Sequence, residues 1–368
     1  MDLVNFDWRP VTAFLDSAIA GGAAPGAVLG ISVAGNRFIH ATGRLSAVDA
    51  LPAEPTTVYD LASLTKVVAL TPAVMLAVND GRLELDAPVQ RYLPAFEGKG
   101  KEQVTVRMLL AHASGLPAWR PLFREAGTRE EALALINRTA LSSPPGTRDL
   151  YSDLGVIVLT QAVESVYRER IDSLLARRIF QPLGMTSMSF LPNAEPMRIA
   201  PTELDPWRGR VLRGEVHDEN AARLDGVSGH AGLFGAVPDL LTFAEWMVEG
   251  WQEGTRAGPN QGKHPNLPSF PPSLFQAFTR RQNLIPGSPR ALGWDTPSPA
   301  SSAGAFLSPR SFGHTGFTGT SLWIDPDRQL AIVLLSNRVN PTRDNAGWAG
   351  VRATIADLVM TTLFEDLR

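Results

Sequence analysis

Ala27-Val28-Leu29-Gly30-Ile31-Ser32-Val33-Ala34 is a mostly apolar run, Gly35-Asn36 follows it, and Arg37-Phe38-Ile39-His40-Ala41-Thr42 is a second run. Two runs of strand length joined by Gly and Asn predict a β-hairpin, because those residues tolerate the positive φ angles of a tight turn. The matching signal lies at the far end of the chain: Gly319 to Ile324, a turn at Asp325-Pro326-Asp327, then Leu330 to Ser336. Hairpins that meet from opposite chain ends imply one antiparallel sheet built from both termini. Helices flank these strands. Trp8, Val11, Phe14, Leu15, Ala18 and Ile19 recur at helical spacing and Gly21-Gly22 ends that segment; near the C-terminus Val351, Ile355, Leu358, Val359 and Thr362 share one helical face.

The middle of the chain, from about Leu85 to about Pro286, reads as helices and loops, with helical segments at Val106 to Ala111, Glu130 to Asn137, Gly155 to Tyr167, Ile171 to Ile179 and Leu240 to Gly250. The predicted architecture is therefore α/β of the α+β type. Residues 1–84 and 287–368 form a sheet domain, and residues 85–286 form a mostly helical inserted domain. The 368 residues exceed the roughly 150 of an average domain, as an insertion of this size requires. Residues 251–290, rich in Pro, Gly, Asn and Gln, read as a long surface excursion.

Composition narrows the chemistry. A net charge of −3 excludes a polybasic nucleic-acid binder. The absence of Cys excludes a thiol nucleophile, a disulfide framework and Cys-based metal sites. The six His show no zinc spacing, and there is no Gly-x-Ser-x-Gly elbow, Walker loop or dinucleotide-binding glycine motif. No metal or cofactor is expected. The N-terminus has no basic and apolar leader, and the most apolar stretch, Val67 to Val78, is shorter than the ~20 residues of a membrane span. A soluble, cytoplasmic protein is the expectation, and a trimmed leader would leave the same picture.

Three segments carry candidate chemistry. In Ser63-Leu64-Thr65-Lys66, a helix starting near Ser63 places Lys66 one turn on, on the same face, beside the hydroxyl it would activate. Helix N-terminal amides beside Ser63 could hold an oxyanion. The alternative is a capping Ser with an exposed Lys. Only four residues are Lys, and Lys99, Lys101 and Lys263 lie in polar, Gly-containing stretches, whereas Lys66 precedes Val67-Val68-Ala69-Leu70. Burial there would push its pKa below the ordinary value. In Tyr151-Ser152-Asp153 the Tyr either serves chemistry or packs while its neighbours cap the next helix. Phe312 to Gly319, holding His314-Thr315-Gly316, has three glycines and permits close backbone approach to a ligand, or is a Gly-rich turn with a core His. His112 and His230 read as hydrogen-bonded structural residues.

In this order the three segments resemble the penicillin-recognising serine hydrolases: class C β-lactamases, DD-peptidases and their esterase relatives. Leu109 to Leu116, Pro182-Leu183-Gly184-Met185 and Gly229 to Phe234 are also similar to family blocks, and the resemblance covers almost the whole chain. It implies the β-lactamase/transpeptidase-like fold, with the site between the sheet and the helical part. It also implies roles: Ser63 as acylated nucleophile, Lys66 and Tyr151 sharing proton transfer, and the backbone N–H groups of Ser63 and Phe317 as oxyanion hole.

Two positions depart from the family pattern. Asp153 stands where Asn is usual, and an ionised Asp only accepts hydrogen bonds. A carboxylate near Lys66 would raise the Lys pKa, and Lys66 so charged would lower that of Tyr151, making Tyr151 the general base. His314 stands where the family usually has Lys, and it is mostly neutral at pH 7 unless a partner such as Asp153 raises it. Asp153, His314, Thr315, Gly316 and Phe317 are the expected substrate-binding residues. Both departures suit an uncharged acyl substrate. The expectation is a carboxylesterase with weak β-lactam hydrolysis, acting on a small ester, amide or β-lactam. A D-amino-acid-specific peptidase or amidase is the enzymatic alternative, and a penicillin-binding sensor module the non-enzymatic one.

Overall fold

The computed structural model describes residues 2–48, 51–193, 195, 198–252, 266–299, 301–364 and 367. Its main sheet has five strands: β1 (Gly26–Val33), β2 (Asn36–Gly43), β3 (Phe312–Thr315), β4 (Ser321–Asp325) and β5 (Leu330–Ser336). Their order is β2-β1-β5-β4-β3, every pair antiparallel. The N-terminal hairpin thus joins the C-terminal one through β1 and β5, with Ala27 opposite Ser336 and Val33 opposite Leu330.

The apolar runs of β1 and β5 are near-continuous because both faces of the sheet are covered. Leu29, Ile31, Ile332 and Leu334 point to one side, against the helices α1 (Arg9–Ala20) and α5 (Val351–Leu363). Val28, Val333 and Leu335 point to the other, into a larger core shared with the middle of the chain. There α4 (Val237–Gln252) lies directly on the sheet. A Cβ at Gly30 would fall 2.3 Å from Val237 Cγ1, so this contact requires glycine.

Two further helices set up the site. A wide turn, Lys66–Leu70, in which Thr71 N–H donates to Lys66 O, runs into α2 (Thr71–Asn79). Such turns recur at functional sites. Helix α3 spans Asp153–Tyr167, and Ser152 caps it by accepting from Gly155 N–H at 3.1 Å.

Three expectations need correction. Phe312–Thr315 is an edge strand rather than only a turn, because its groups pair with β4. Within residues 251–290, Pro272–Thr279 is a helix whose Phe275 and Phe278 are buried and whose Phe275 meets the Trp246 ring, so this part packs; residues 253–265 lie outside the described ones. Lys101 is not the exposed charge that its polar, Gly-containing stretch suggests. It is 2% exposed, donates to Glu97 O and Asn137 O and lies over the Phe96 ring; Lys263 lies outside the described residues. Among the described residues no helix is long and apolar enough to cross a membrane.

Candidate active site

The short strand Tyr59–Asp60 ends in an elbow. Ala62 takes φ of 47°, a left-handed conformation that costs a non-glycine residue about 1–2 kcal/mol. Asp60 holds it there. One carboxylate oxygen accepts from Ala62 N–H at 2.8 Å and the other from His217 N–H at 2.7 Å. Burial raises the Asp60 carboxyl above its ordinary value, against these two bonds. Ser63 emerges from the elbow just before the turn that carries Lys66.

Lys66 is 2% exposed, and its Nζ donates to Ser63 Oγ at 2.9 Å and to His230 O at 3.0 Å. It lies 2.7 Å from Asp153 Oδ1. Burial works to lower its pKa, but the charge of Asp153 and the neighbouring Tyr151 outweigh it, and the net direction is up. Lys66 is therefore an ammonium at neutral pH. Asp153 opens α3, where a carboxylate also suits the helix dipole.

The Tyr151 ring has Lys66 Nζ 4.9 Å from its centroid, His112 at 4.5 Å on one side and His314 at 5.9 Å on another. Tyr151 lines the same pocket as Ser63, and both Ser63 and Lys66 act to lower its pKa. Here the expected direction is corrected. Burial raises the phenol above its ordinary value, and the pull of Lys66 does not overcome burial together with Asp153. Tyr151 is thus a neutral phenol at pH 7, not a resting phenolate.

His314 sits on the edge strand, 3% exposed, with Nδ1 2.7 Å from Thr315 O. A carbonyl only accepts, so Nδ1 carries the proton and Nε2 remains an acceptor. That Nε2 is buried and has no partner among the described residues. Burial lowers the imidazole, and the carboxylate that opposes this is Asp295 rather than Asp153. His314 is uncharged.

Thr315, Gly316 and Phe317 continue from it along the mouth of an open pocket of about 410 Å³ that also reaches Ser63 and Tyr151. This loop is tied to the elbow by two hydroxyls. Thr318 Oγ1 donates to Asp60 O at 2.8 Å, and Thr320 Oγ1 to Leu61 O at 2.9 Å. The approach is close: a Cβ on Gly316 would fall 2.1 Å from Thr320 Oγ1 and 2.5 Å from Leu61 O. The backbone N–H groups of Ser63 and Phe317 have no acceptor among the described residues, so both remain available to a ligand. A hydroxyl, a buried ammonium, a phenol and two unspent amides at one pocket can support acyl transfer.

The family profile described as Beta-lactamase matches residues 11–357. The chain belongs to the beta-lactamase family. It is 33% identical to a "Putative D-alanyl-D-alanine carboxypeptidase" of Salmonella schwarzengrund (strain CVM19633), covering 77% of this chain and 69% of that one. Among solved structures, the hydrolase EstCE1, described as having promiscuous acyltransferase activity, superposes with TM-score 0.75 at 22% identity over 96% of this chain and 98% of that one. A class C beta-lactamase from Rhodobacter sphaeroides gives 0.71 at 23% over 97% and 100%. These two likenesses show the shared fold.

This beta-lactamase-family pocket also holds residues that the sequence did not single out: Arg290, Asp295, Arg338 and Arg352. Arg290 pairs with Asp149 at 3.5 Å and with Asp295, and lies over the Tyr151 ring. Each of the four comes from a loop or helix start with no motif around it, so no local signal marks it. His112 and His230 are hydrogen-bonded residues, as expected. His112 Nδ1 accepts from Ser152 N–H at 3.1 Å, and burial keeps its ring neutral. His230 Nε2 meets Asp218 at 2.9 Å and Nδ1 meets Ser228 Oγ at 2.8 Å. Ser228 and His230 are each 1% exposed, so this row of polar groups serves to hold the His230 carbonyl on Lys66. Among the described residues no group of three or more His, Asp or Glu could hold a metal ion.

Proposed function

We propose that this chain is a serine acyl hydrolase that forms an acyl-enzyme on Ser63 and prefers esters with uncharged acyl groups. The observation that carries this reading is the line Ser63–Lys66–Asp153, joined through the buried Lys66 and opening on a pocket where residue 314 is a neutral imidazole rather than a fixed cation.

The proton inventory sets the mechanism. With Lys66 charged and Tyr151 neutral, the carboxylate of Asp153 is the one basic group in direct contact with the ammonium. As Ser63 Oγ attacks the acyl carbon, its proton passes to Lys66 while Lys66 passes one to Asp153. The carbonyl oxygen becomes an oxyanion and is held by the N–H groups of Ser63 and Phe317. The Tyr151 phenol gives its proton to the leaving alkoxide and takes a replacement from Asp153 through Lys66, so Ser63 has lost one proton, the alcohol has gained one, and Lys66, Asp153 and Tyr151 return to their starting states. Water then attacks the acyl-enzyme along the same path in reverse.

A second reading has its own observation. Arg338 and Arg352 line the pocket, and neither has a carboxylate at ion-pair distance among the described residues. Two such cations suit a substrate with a C-terminal carboxylate, as a D-amino-acid carboxypeptidase requires. Kinetics on p-nitrophenyl acetate and butyrate, nitrocefin and a D-Ala-D-Ala peptide test both. Ester turnover well above the other two supports the first reading, and nitrocefin or peptide turnover exceeding it by orders of magnitude overturns it. A fluorophosphonate should add one covalent mass at Ser63, and Ser63→Ala should abolish both labelling and turnover.

A further inference from the structure

Arg352 is the second residue of α5, and its guanidinium Nη2 donates to Gly316 O at 2.6 Å. Gly316 C=O and Phe317 N–H are the two ends of one peptide group. The donor on the carbonyl therefore acts on the same resonant unit whose N–H faces the pocket. We propose that Arg352 is a positioning residue for the oxyanion hole, fixing and polarising the Gly316–Phe317 peptide so that its N–H is a stronger donor to developing negative charge.

Three observations support this role. Gly316 O accepts from Arg352 and from Gly319 N–H at 3.2 Å, and the flanking peptides are held by Arg338 Nε on Phe317 O at 2.9 Å and by Gly316 N–H on Thr320 O at 2.8 Å. Phe317 N–H, the other end of the peptide that Arg352 holds, has no acceptor among the described residues. Chained hydrogen bonds polarise one another in a low-dielectric site, and the effect is larger when the donor is charged. Finally, the guanidinium occupies an unfavourable place. Burial and the nearby charge of Arg338 bring its pKa down to about 10, and its Nε is buried without a partner among the described residues. A cation kept at such a place, on that carbonyl, faces the anion that forms in the reaction.

The proposal rests on Ser63 as the acylated nucleophile, and the test separates the two. Wild type, Arg352→Lys, Arg352→Gln and Arg352→Met are labelled with a fluorophosphonate and titrated with phenylboronic acid, whose tetrahedral adduct places a charged oxygen in the hole. Each is then assayed on p-nitrophenyl acetate, and the ester carbonyl stretch of a trapped acyl-enzyme is read by infrared difference spectroscopy. In Arg352→Met, kcat falls about 10-fold or more with KM little changed, the boronate Ki rises in step, and the carbonyl stretch moves up in frequency. Arg352→Gln, which keeps a neutral donor, lies between Met and wild type, and Arg352→Lys recovers more than Gln. If Met does not fold, Gln carries the test with the same readouts. A tie of purely structural value would lower the melting temperature and leave kcat, boronate Ki and carbonyl frequency unchanged, and that result overturns the proposal. A wild type that does not label at Ser63 overturns the nucleophile assignment and this proposal with it.

Discussion

Lys66 Nζ stands 2.7 Å from Asp153 Oδ1 and 2.9 Å from Ser63 Oγ, so one ammonium joins a carboxylate to the candidate nucleophile. Burial lowers Lys66 and Asp153 raises it, and the carboxylate wins. Asp153→Asn removes the largest of the influences that raise Lys66 against burial, so the pKa of Lys66 falls. At pH 7 the variant should lose roughly 10²-fold in kcat/KM on p-nitrophenyl acetate, the scale of a lost acid–base group. In wild type the rate should show no rise from Lys66 deprotonation in the neutral range, because Lys66 stays charged. In the variant it should instead climb with pH as Lys66 deprotonates. A variant whose rate and pH profile match wild type removes Asp153 from the proton path.

Tyr151 shares the pocket with Ser63, lies under the Lys66 ammonium and has the rings of His112 and His314 beside it. Tyr151→Phe keeps the ring packing and removes the phenol proton that the proposed mechanism gives to the leaving group. Turnover should fall by about 10²–10⁴-fold, with the thermal midpoint close to wild type. Substantial retained activity would assign leaving-group protonation to another group.

Gly316 has no room for a side chain, since a Cβ would meet Thr320 Oγ1 and Leu61 O. Leu61 O is backbone and cannot rotate away. Gly316→Ala should displace the Phe317 N–H and cost on the order of 10²-fold in kcat, the penalty for small misplacements of catalytic groups. The change should appear in kcat more than in KM, and stopped-time assays with circular dichroism can separate it from unfolding.

His112 and His314 are buried and held below the ordinary imidazole pKa. Below pH 6.5 the unfolded chain takes up protons that the folded one does not, so stability falls as pH falls and continues to fall until the folded imidazoles protonate. Each contributes a slope of up to about 1.4 kcal/mol per pH unit in that window. Urea midpoints between pH 7.5 and 5 should decline, and His314→Gln should flatten the decline. Glu203, held down to about 2 despite burial by His217 and Arg343, adds its own loss only below its ordinary carboxylate range. A flat profile from pH 7.5 to 5 would show both imidazoles to be accessible to protons.

Much of the fold is legible in the sequence because it rests on local chemistry. The glycine turn of the N-terminal hairpin, the apolar runs of β1 and β5 and the helical stripes at both ends are short-range patterns, and a sheet built from both termini is their economical solution; the turn itself lies one residue earlier than the sequence suggests, at Ala34-Gly35, because Asn36 pairs with Val33 as the first residue of β2. The edge strand Phe312–Thr315 escaped because its glycines signal a turn, and pairing with β4 overrides that preference. The helix Pro272–Thr279 escaped because a Pro/Gly-rich surrounding masked a short run of aromatic residues that packs on Trp246.

By itself the sequence determined which groups could do chemistry: one Lys entering an apolar helix, a Tyr before a helix, a Gly-rich approach, and no thiol. It also placed Ser63 and Lys66 together, because three residues along a helix return to the same face. Only the tertiary structure decided the charge states. Desolvation and charges from distant segments set them, and neither is visible in local order: burial keeps Tyr151 and His314 neutral, and Asp153, 87 residues along the chain from Lys66, keeps the ammonium charged. Arg338 and Arg352 likewise reach the Gly316–Phe317 loop only because β5 and α5 fold back beside it, a long-range closure that no motif announces.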